Sequence, residues 1–246
     1  MCGRYATTRT SAELDDAFSA SLADGATLPE ADWNVAPTKQ APLVIGRVPD
    51  GADARDPGLV PDRELLAATW GLVPSWAKDR SIGNRMINAR SETVAEKPSF
   101  RRAFAKRRAV VPADGYYEWY AGQGPKGPKQ PFFIASQESD GTRDVLGLAG
   151  LYEFWRASDD DDWLITFTIL TTSAEGADGM IHDRAPLLVA PEVRDAWLAP
   201  LARPADELLG LLVPATPGVL EAWPVSTEVN NVRHNGPHLV EPIAPE

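Results

Sequence analysis

Sulfur is scarce in this sequence. Cys2 is the only cysteine among 246 residues, so no intramolecular disulfide can form. Histidine is nearly as rare, with His182, His234 and His238 alone, and no CxxC pair accompanies them. That speaks against a structural zinc site, and neither a metal nor another cofactor is expected. No stretch approaches ~20 consecutive apolar residues, and Arg4, Thr7, Thr8, Arg9 and Thr10 break the apolar run that a secretion signal requires. The expectation is a cytoplasmic protein with no membrane attachment. Internal repeats and low-complexity segments are also missing.

Positive charge is in short supply: 24 Lys+Arg against 35 Asp+Glu give a net −11. Taken alone, this argues against nucleic acid and acidic membranes as partners. The distribution is uneven, however. Trp70 to Gln130 holds 12 Lys+Arg against 5 Asp+Glu, and the remaining 185 residues hold 12 against 30. The densest run, 97–110, carries Lys97, Arg101, Arg102, Lys106, Arg107 and Arg108. It reads equally well as a solvated helix face paired to acids and as an anion-binding surface. An acidic shell also suits a salty interior, where charges are screened over about 3 Å at 1 M salt.

What the chain does have is core material, with 43% apolar residues and 8 Trp. The spacing predicts an amphipathic helix at 11–20 with Ser11 as N-cap, strands at Pro42–Ile45 and Leu65–Leu72, and a basic helix at about 98–107. AVVPADGYYEW (109–119) predicts strand, turn at Asp114-Gly115, and strand, with Tyr117 and Trp119 on one side and Tyr116 and Glu118 on the other. A Gly/Pro turn at 122–130 leads to strands at 131–136, 144–155 and 162–172, short helices at 191–199 and 205–213, and terminal edge strands in WPVS and HLVEPI. Short strands, few helices and no βαβ alternation predict an α+β fold on curved, largely antiparallel sheet that can curl into a barrel. The chain reads as a single domain, 1–246, with loop excursions at about 48–62 and 156–162.

Few residues can carry chemistry. A cysteine is most often a small buried hydrophobe. At position two, an exposed chain end and removal of Met1 would instead leave a free α-amine beside the thiol. With ordinary pKa values near ~8.5 for the thiol and ~7.7–8.0 for the amine, both are partly reactive at neutral pH. Such a pair suits an aldehyde, which the amine condenses with and the thiol closes into a thiazolidine. Glu118 is either a general acid/base in an aromatic strand or a solvated glutamate. His182, in MIHDRAP, is either a loop histidine with a function or one bonded to Asp183. Asn88 and Arg90, a strand period apart in NARSET, offer an amide and a guanidinium suited to phosphate. Trp76 beside Lys78 could stack on a nucleic-acid base, whereas Trp70 reads as core.

The blocks MCGRYA, WNVAPT, WGLVPSWAKD, NARSET, RRAVVPADGYYEW, TTSA…IHDRAP and VEPI, in this order, resemble the SOS-response-associated peptidase (SRAP) family from Cys2 to about Ile243. The resemblance implies a protein, expected to be a monomer at the nucleoid, that binds single-stranded DNA and captures abasic sites covalently. By position it makes Cys2 the nucleophile, with Asn88 holding Cys2 or the sugar, Glu118 moving protons and His182 assisting the opened sugar. Arg4, Trp76 and Arg90 match DNA-binding positions. IHDRAP departs from the usual pattern by placing Ala185 where methionine is common, which bears on an apolar contact with DNA. Two other classes fit parts of the sequence. A peptide hydrolase pairing Cys2 with His182 would not need the basic zone, and a plain single-strand-binding module would not need Cys2.

Overall fold

Residues 2–120, 129–174, 183–214 and 220–243 are described by the computed structural model. In chain order, β1 (Tyr5–Thr7), α1 (Ser11–Phe18), β2 (Ser21–Leu22), β3 (Asp32–Val35), β4 (Gln40–Arg47) and β5 (Asp62–Trp70) lead into β6 (Asn88–Arg90), α2 (Arg101–Lys106), β7 (Arg108–Ala113) and β8 (Gly115–Tyr120). There follow β9 (Gln130–Ser136), the short β10 (Glu138–Ser139) and β11 (Thr142–Arg143), β12 (Leu146–Trp155), β13 (Leu164–Ser173) and β14 (Arg184–Leu188). The last described elements are α3 (Arg194–Leu198), α4 (Ala205–Gly210), β15 (Val213–Pro214) and β16 (Leu220–Pro224).

The expected α+β class holds, with strands divided between two main sheets. The smaller runs β16-β9-β8-β1-β3, and the larger runs β15-β14-β12-β7-β4-β5-β13-β6. Because β13 pairs with both β5 and β12, the strands β12, β7, β4, β5 and β13 join in a ring. Most pairings are antiparallel, but β13 runs parallel to β5 and β6.

Period-two alternation decides which core each side chain enters. Val111 turns inward with Cys2, Tyr5, Trp70, Tyr116 and Phe167, while its neighbour Val110 packs on the outer face with Phe18 of α1, Phe104 of α2 and Trp197 of α3. The same rule separates Tyr116, in the central core, from Tyr117, which packs with Phe133, Val225 and Leu239.

Several local expectations are corrected. The N-cap of α1 is Thr10, one residue before Ser11: its hydroxyl accepts the Glu13 N–H while the Glu13 carboxylate accepts the Thr10 N–H, a reciprocal capping box. The basic helix shortens to α2. The chain does bend at Asp114, but β7 and β8 are not a hairpin. β7 pairs with β12 and β4, and β8 with β1 and β9, so the bend carries the chain from one sheet to the other. Asp114 fixes that crossing by accepting from the Thr8 N–H at 2.7 Å and the Arg9 guanidinium at 3.0 Å. Gly115 is required beside it, because a Cβ there would stand 2.6 Å from the Ile134 carbonyl oxygen. HLVEPI forms no strand: Pro237–Leu239 is a 3-10 turn, and the segment meets the end of β16 through an isolated bridge from Val225 to Pro242 and the Ile243 N–H bonded to the Pro224 carbonyl at 3.0 Å. The Gly/Pro turn expected at 122–130 falls mostly outside the described residues.

The basic run divides in two. Arg101, Arg102 and Lys106 are exposed, whereas Arg108 is wholly buried. Its guanidinium donates to the carbonyls of Trp197 (2.6 Å), Phe104 (3.0 Å), Ala105 (2.7 Å), Leu201 (3.0 Å) and Ala199. Burial, with Arg203 nearby, lowers its pKa to about 10, so the cation persists at neutral pH and ties α2 to the segment after α3.

Candidate active site

Cys2 is buried in the central core, contrary to the expectation of an exposed chain end. The tether explains the difference: Asn88 at the start of β6 donates its Nδ2–H to the Cys2 carbonyl at 2.7 Å. Asn88 is itself held by register, lying opposite Ile169 on β13. The preceding carbonyl, Ile87, accepts from the Ile169 N–H (3.1 Å) and from the Trp70 indole (2.9 Å). Trp70 is core, as the sequence suggested, packed edge-on to Tyr5 at 5.2 Å and stacked on Phe167 at 6.4 Å.

Glu118 reaches the same place from the other sheet. Tyr5 lies opposite Tyr116, and the Arg4 carbonyl accepts the Tyr117 N–H at 2.9 Å. Continuing that antiparallel register sets Glu118 beside Gly3, next to Cys2. Glu118 is 3% exposed, which removes the solvated-glutamate reading. Burial pushes the Cys2 thiol far above the ordinary range, the Glu118 carboxylate pushes it further, and the positive charge of the chain terminus and then a hydrogen bond with the Arg4 backbone oppose them. The thiol is therefore protonated at neutral pH, not partly ionised as its unperturbed value implied.

The remaining candidates are dispersed. Arg90 is exposed at the end of β6, two residues from Asn88, and Trp76 is 53% exposed on the loop after β5. Arg4 is half-buried, its guanidinium donating to Asn34 Oδ1 (2.6 Å) and the Val229 carbonyl (2.7 Å) and lying 5.8 Å from the Trp119 ring centre. His182 lies outside the described residues. Ala185 is 2% exposed and lies opposite Thr172 in the β13–β14 pairing.

Two participants escaped the sequence. Asn34 is fully buried and donates to the carbonyls of Val229, Asn231 and His234, fastening the C-terminal segment over β3 and Arg4. The available signal was an amide inside the apolar strand WNVA. Arg184, after the expected His182, makes a two-pronged pair with Glu92 (2.6 and 3.1 Å) and donates to the Thr171 carbonyl. Among the described residues, no cluster of His, Cys, Asp and Glu could hold a metal ion, and no helix is long and apolar enough to cross a membrane.

The family model for SOS response associated peptidase (SRAP) matches residues 1–232. The chain belongs to the SRAP family. Among curated SRAP relatives, the abasic site processing protein YoqW of Bacillus subtilis is 38% identical across 98% of this chain and 99% of its own. Abasic site processing protein HMCES of Gallus gallus is 33% identical across 86% of this chain and 66% of its own. A solved structure of a protein from Bacteroides thetaiotaomicron superposes with a TM-score of 0.79 at 22% identity, covering 99% of this chain and 100% of that one, and so shares the SRAP fold.

Proposed function

We propose that this protein binds single-stranded DNA as a monomer and captures abasic sites covalently through Cys2 once Met1 is removed. The observation that carries the proposal is the burial of Cys2 between Asn88 on one sheet and Glu118 on the other. The relatives named for abasic site processing support the same substrate.

The chemistry follows from the groups present. The opened deoxyribose offers an aldehyde at C1′. The Cys2 α-amine adds to it, and loss of one water leaves an imine. The thiol sulfur then adds to C1′ and its proton passes to nitrogen, closing a thiazolidine. Because burial holds the thiol protonated, ring closure needs an acceptor for that proton, and Glu118 is the carboxylate whose charge acts on Cys2. Asn88 fixes the Cys2 carbonyl, so the amine and thiol present one geometry to the sugar. His182 would assist sugar opening, and Arg4, Trp76 and Arg90 would hold the strand. With so acidic a chain, the noncovalent encounter is weak and falls as salt rises, which a covalent product tolerates.

Denaturing electrophoresis after incubation with single-stranded DNA bearing one abasic site tests this. A heat-stable shifted band absent in Cys2→Ala is expected. No band from protein verified to begin at Cys2 would move peptide hydrolysis or simple strand binding to first place.

A further inference from the structure

Away from Cys2, the β12–β13 hairpin and the start of β7 enclose an open groove of about 870 Å³. Arginines line it, with Arg102 from α2, Arg107 just before β7, and Arg47 and Arg156 at strand ends. Phe154, Trp155 and Trp163 add aromatic surface. Trp163 is 58% exposed, with the Arg156 guanidinium 4.5 Å from its ring centre and Phe154 edge-on at 6.4 Å. The acids in the lining are matched in place, Glu153 by Arg107 and Asp159 by Arg156, and Arg47 is taken by Glu64. Arg102 is exposed and forms no ion pair among the described residues.

Arg102 also acts on the buried Glu153 through its charge, without an ion pair among the described residues. An exposed indole lining the same groove as such a guanidinium is the chemistry that holds a nucleotide, with the ring stacking on a base and the cation meeting a phosphate. The groove also adjoins the loop carrying Trp76. Ser75 forms part of its wall, and the Trp155 indole donates to the Ala77 carbonyl at 2.8 Å, fixing that loop against the hairpin. Trp163, in the groove wall, directly precedes β13 and stands six residues from Ile169, the partner of Asn88, a separation of roughly 20 Å at ~3.4 Å per residue. That lies within the footprint of single-strand sites, which cover about 4–16 nucleotides.

We propose that this groove is a second strand-binding subsite, in which DNA flanking the lesion stacks a base on Trp163 and sets a phosphate against Arg102. The assignment rests on the abasic-site reading above and extends the strand's path past Trp76. Asp160, Asp161 and Asp162 at the hairpin tip would repel a phosphate, so the path ends there.

Fluorescence anisotropy with lesion-free single strands of about 5 and about 15 nucleotides tests the subsite, because no crosslink can form. Trp163→Ala and Arg102→Ala should each weaken the long strand about tenfold and leave the short one unchanged, with Trp163→Phe restoring most of the loss. Arg102→Ala should also reduce the salt slope by about 1. Both sites are exposed, so unchanged melting temperatures will show that the variants are folded. Long-strand binding equal to wild type overturns the subsite while leaving abasic-site capture intact. Equal losses for both lengths, or competition by a free nucleoside monophosphate as strong as by the strand, also overturn it. Wild-type protein that binds neither strand contradicts the DNA reading itself.

Discussion

The Asn88 side chain donates to the Cys2 carbonyl at 2.7 Å, across 86 residues of sequence, and so fastens the chain terminus into the core. Asn88→Ala should leave the fold intact and free the terminus to adopt many orientations. Single-turnover crosslinking to an abasic strand should slow by about 10- to 100-fold, since misplacement of about 1 Å can cost about 100-fold. Asn88→Asp puts an acceptor opposite a carbonyl and should not rescue it.

The burial of the Cys2 thiol predicts an alkaline weakness. Its folded pKa is raised, by burial first and Glu118 second, while the unfolded thiol titrates near ~8.5. The unfolded chain therefore loses its proton first. The contribution to stability is full below that value and declines as pH rises above it, by up to ~1.4 kcal/mol per pH unit. Urea unfolding between pH 7 and 10 should show this decline in wild type and its loss in Cys2→Ala.

Arg108 holds five carbonyls with a single guanidinium. Arg108→Ala removes the donor these carbonyls share, although the Ala199 carbonyl keeps the Leu201 N–H, and at ~1.5–3 kcal/mol per charged hydrogen bond the variant should lose at least about 3 kcal/mol of unfolding free energy. Arg102→Ala, six residues earlier on α2 and exposed, should change stability by less than ~0.5 kcal/mol.

How much of this was legible follows from the range of each signal. Period-two alternation across GYYEW correctly set Tyr117 apart from Tyr116 and Glu118, because side-chain direction along a strand is a local property. Which strand lies next door is not, so Asp114-Gly115 read as the tip of a hairpin when it carries the chain between sheets. Position two suggested an exposed thiol, but the core residues that cluster with Cys2 and the amide that ties its carbonyl, 86 positions away, come from distant parts of the chain. Asn34 was passed over for the same reason, its carbonyl partners standing 195 to 200 residues on. The run of arginines gave no sign that Arg108 turns inward, since only the α3 segment supplies most of its acceptors.

Asn34→Ala should loosen what that amide fastens. Losing the donor to three carbonyls and the acceptor of the Arg4 guanidinium, at about 1 kcal/mol for each hydrogen bond, predicts a drop of ~2–4 kcal/mol, with faster amide hydrogen exchange concentrated at 229–235. Exchange raised uniformly along the chain would instead indicate global destabilisation.

Ala185→Met restores the residue common in the family pattern at a site that is closed here. Overpacking should cost ~1–3 kcal/mol, read by thermal unfolding, with no gain in strand affinity.

The most direct measurement is intact-mass spectrometry of the heat-stable conjugate with an abasic strand, followed by alkylation and digestion. The product should equal Met1-trimmed protein plus DNA minus one water, with DNA on the Cys2 peptide and its thiol closed to alkylation. A conjugate mapped to a lysine, or one whose Cys2 thiol still alkylates, would contradict capture as a thiazolidine.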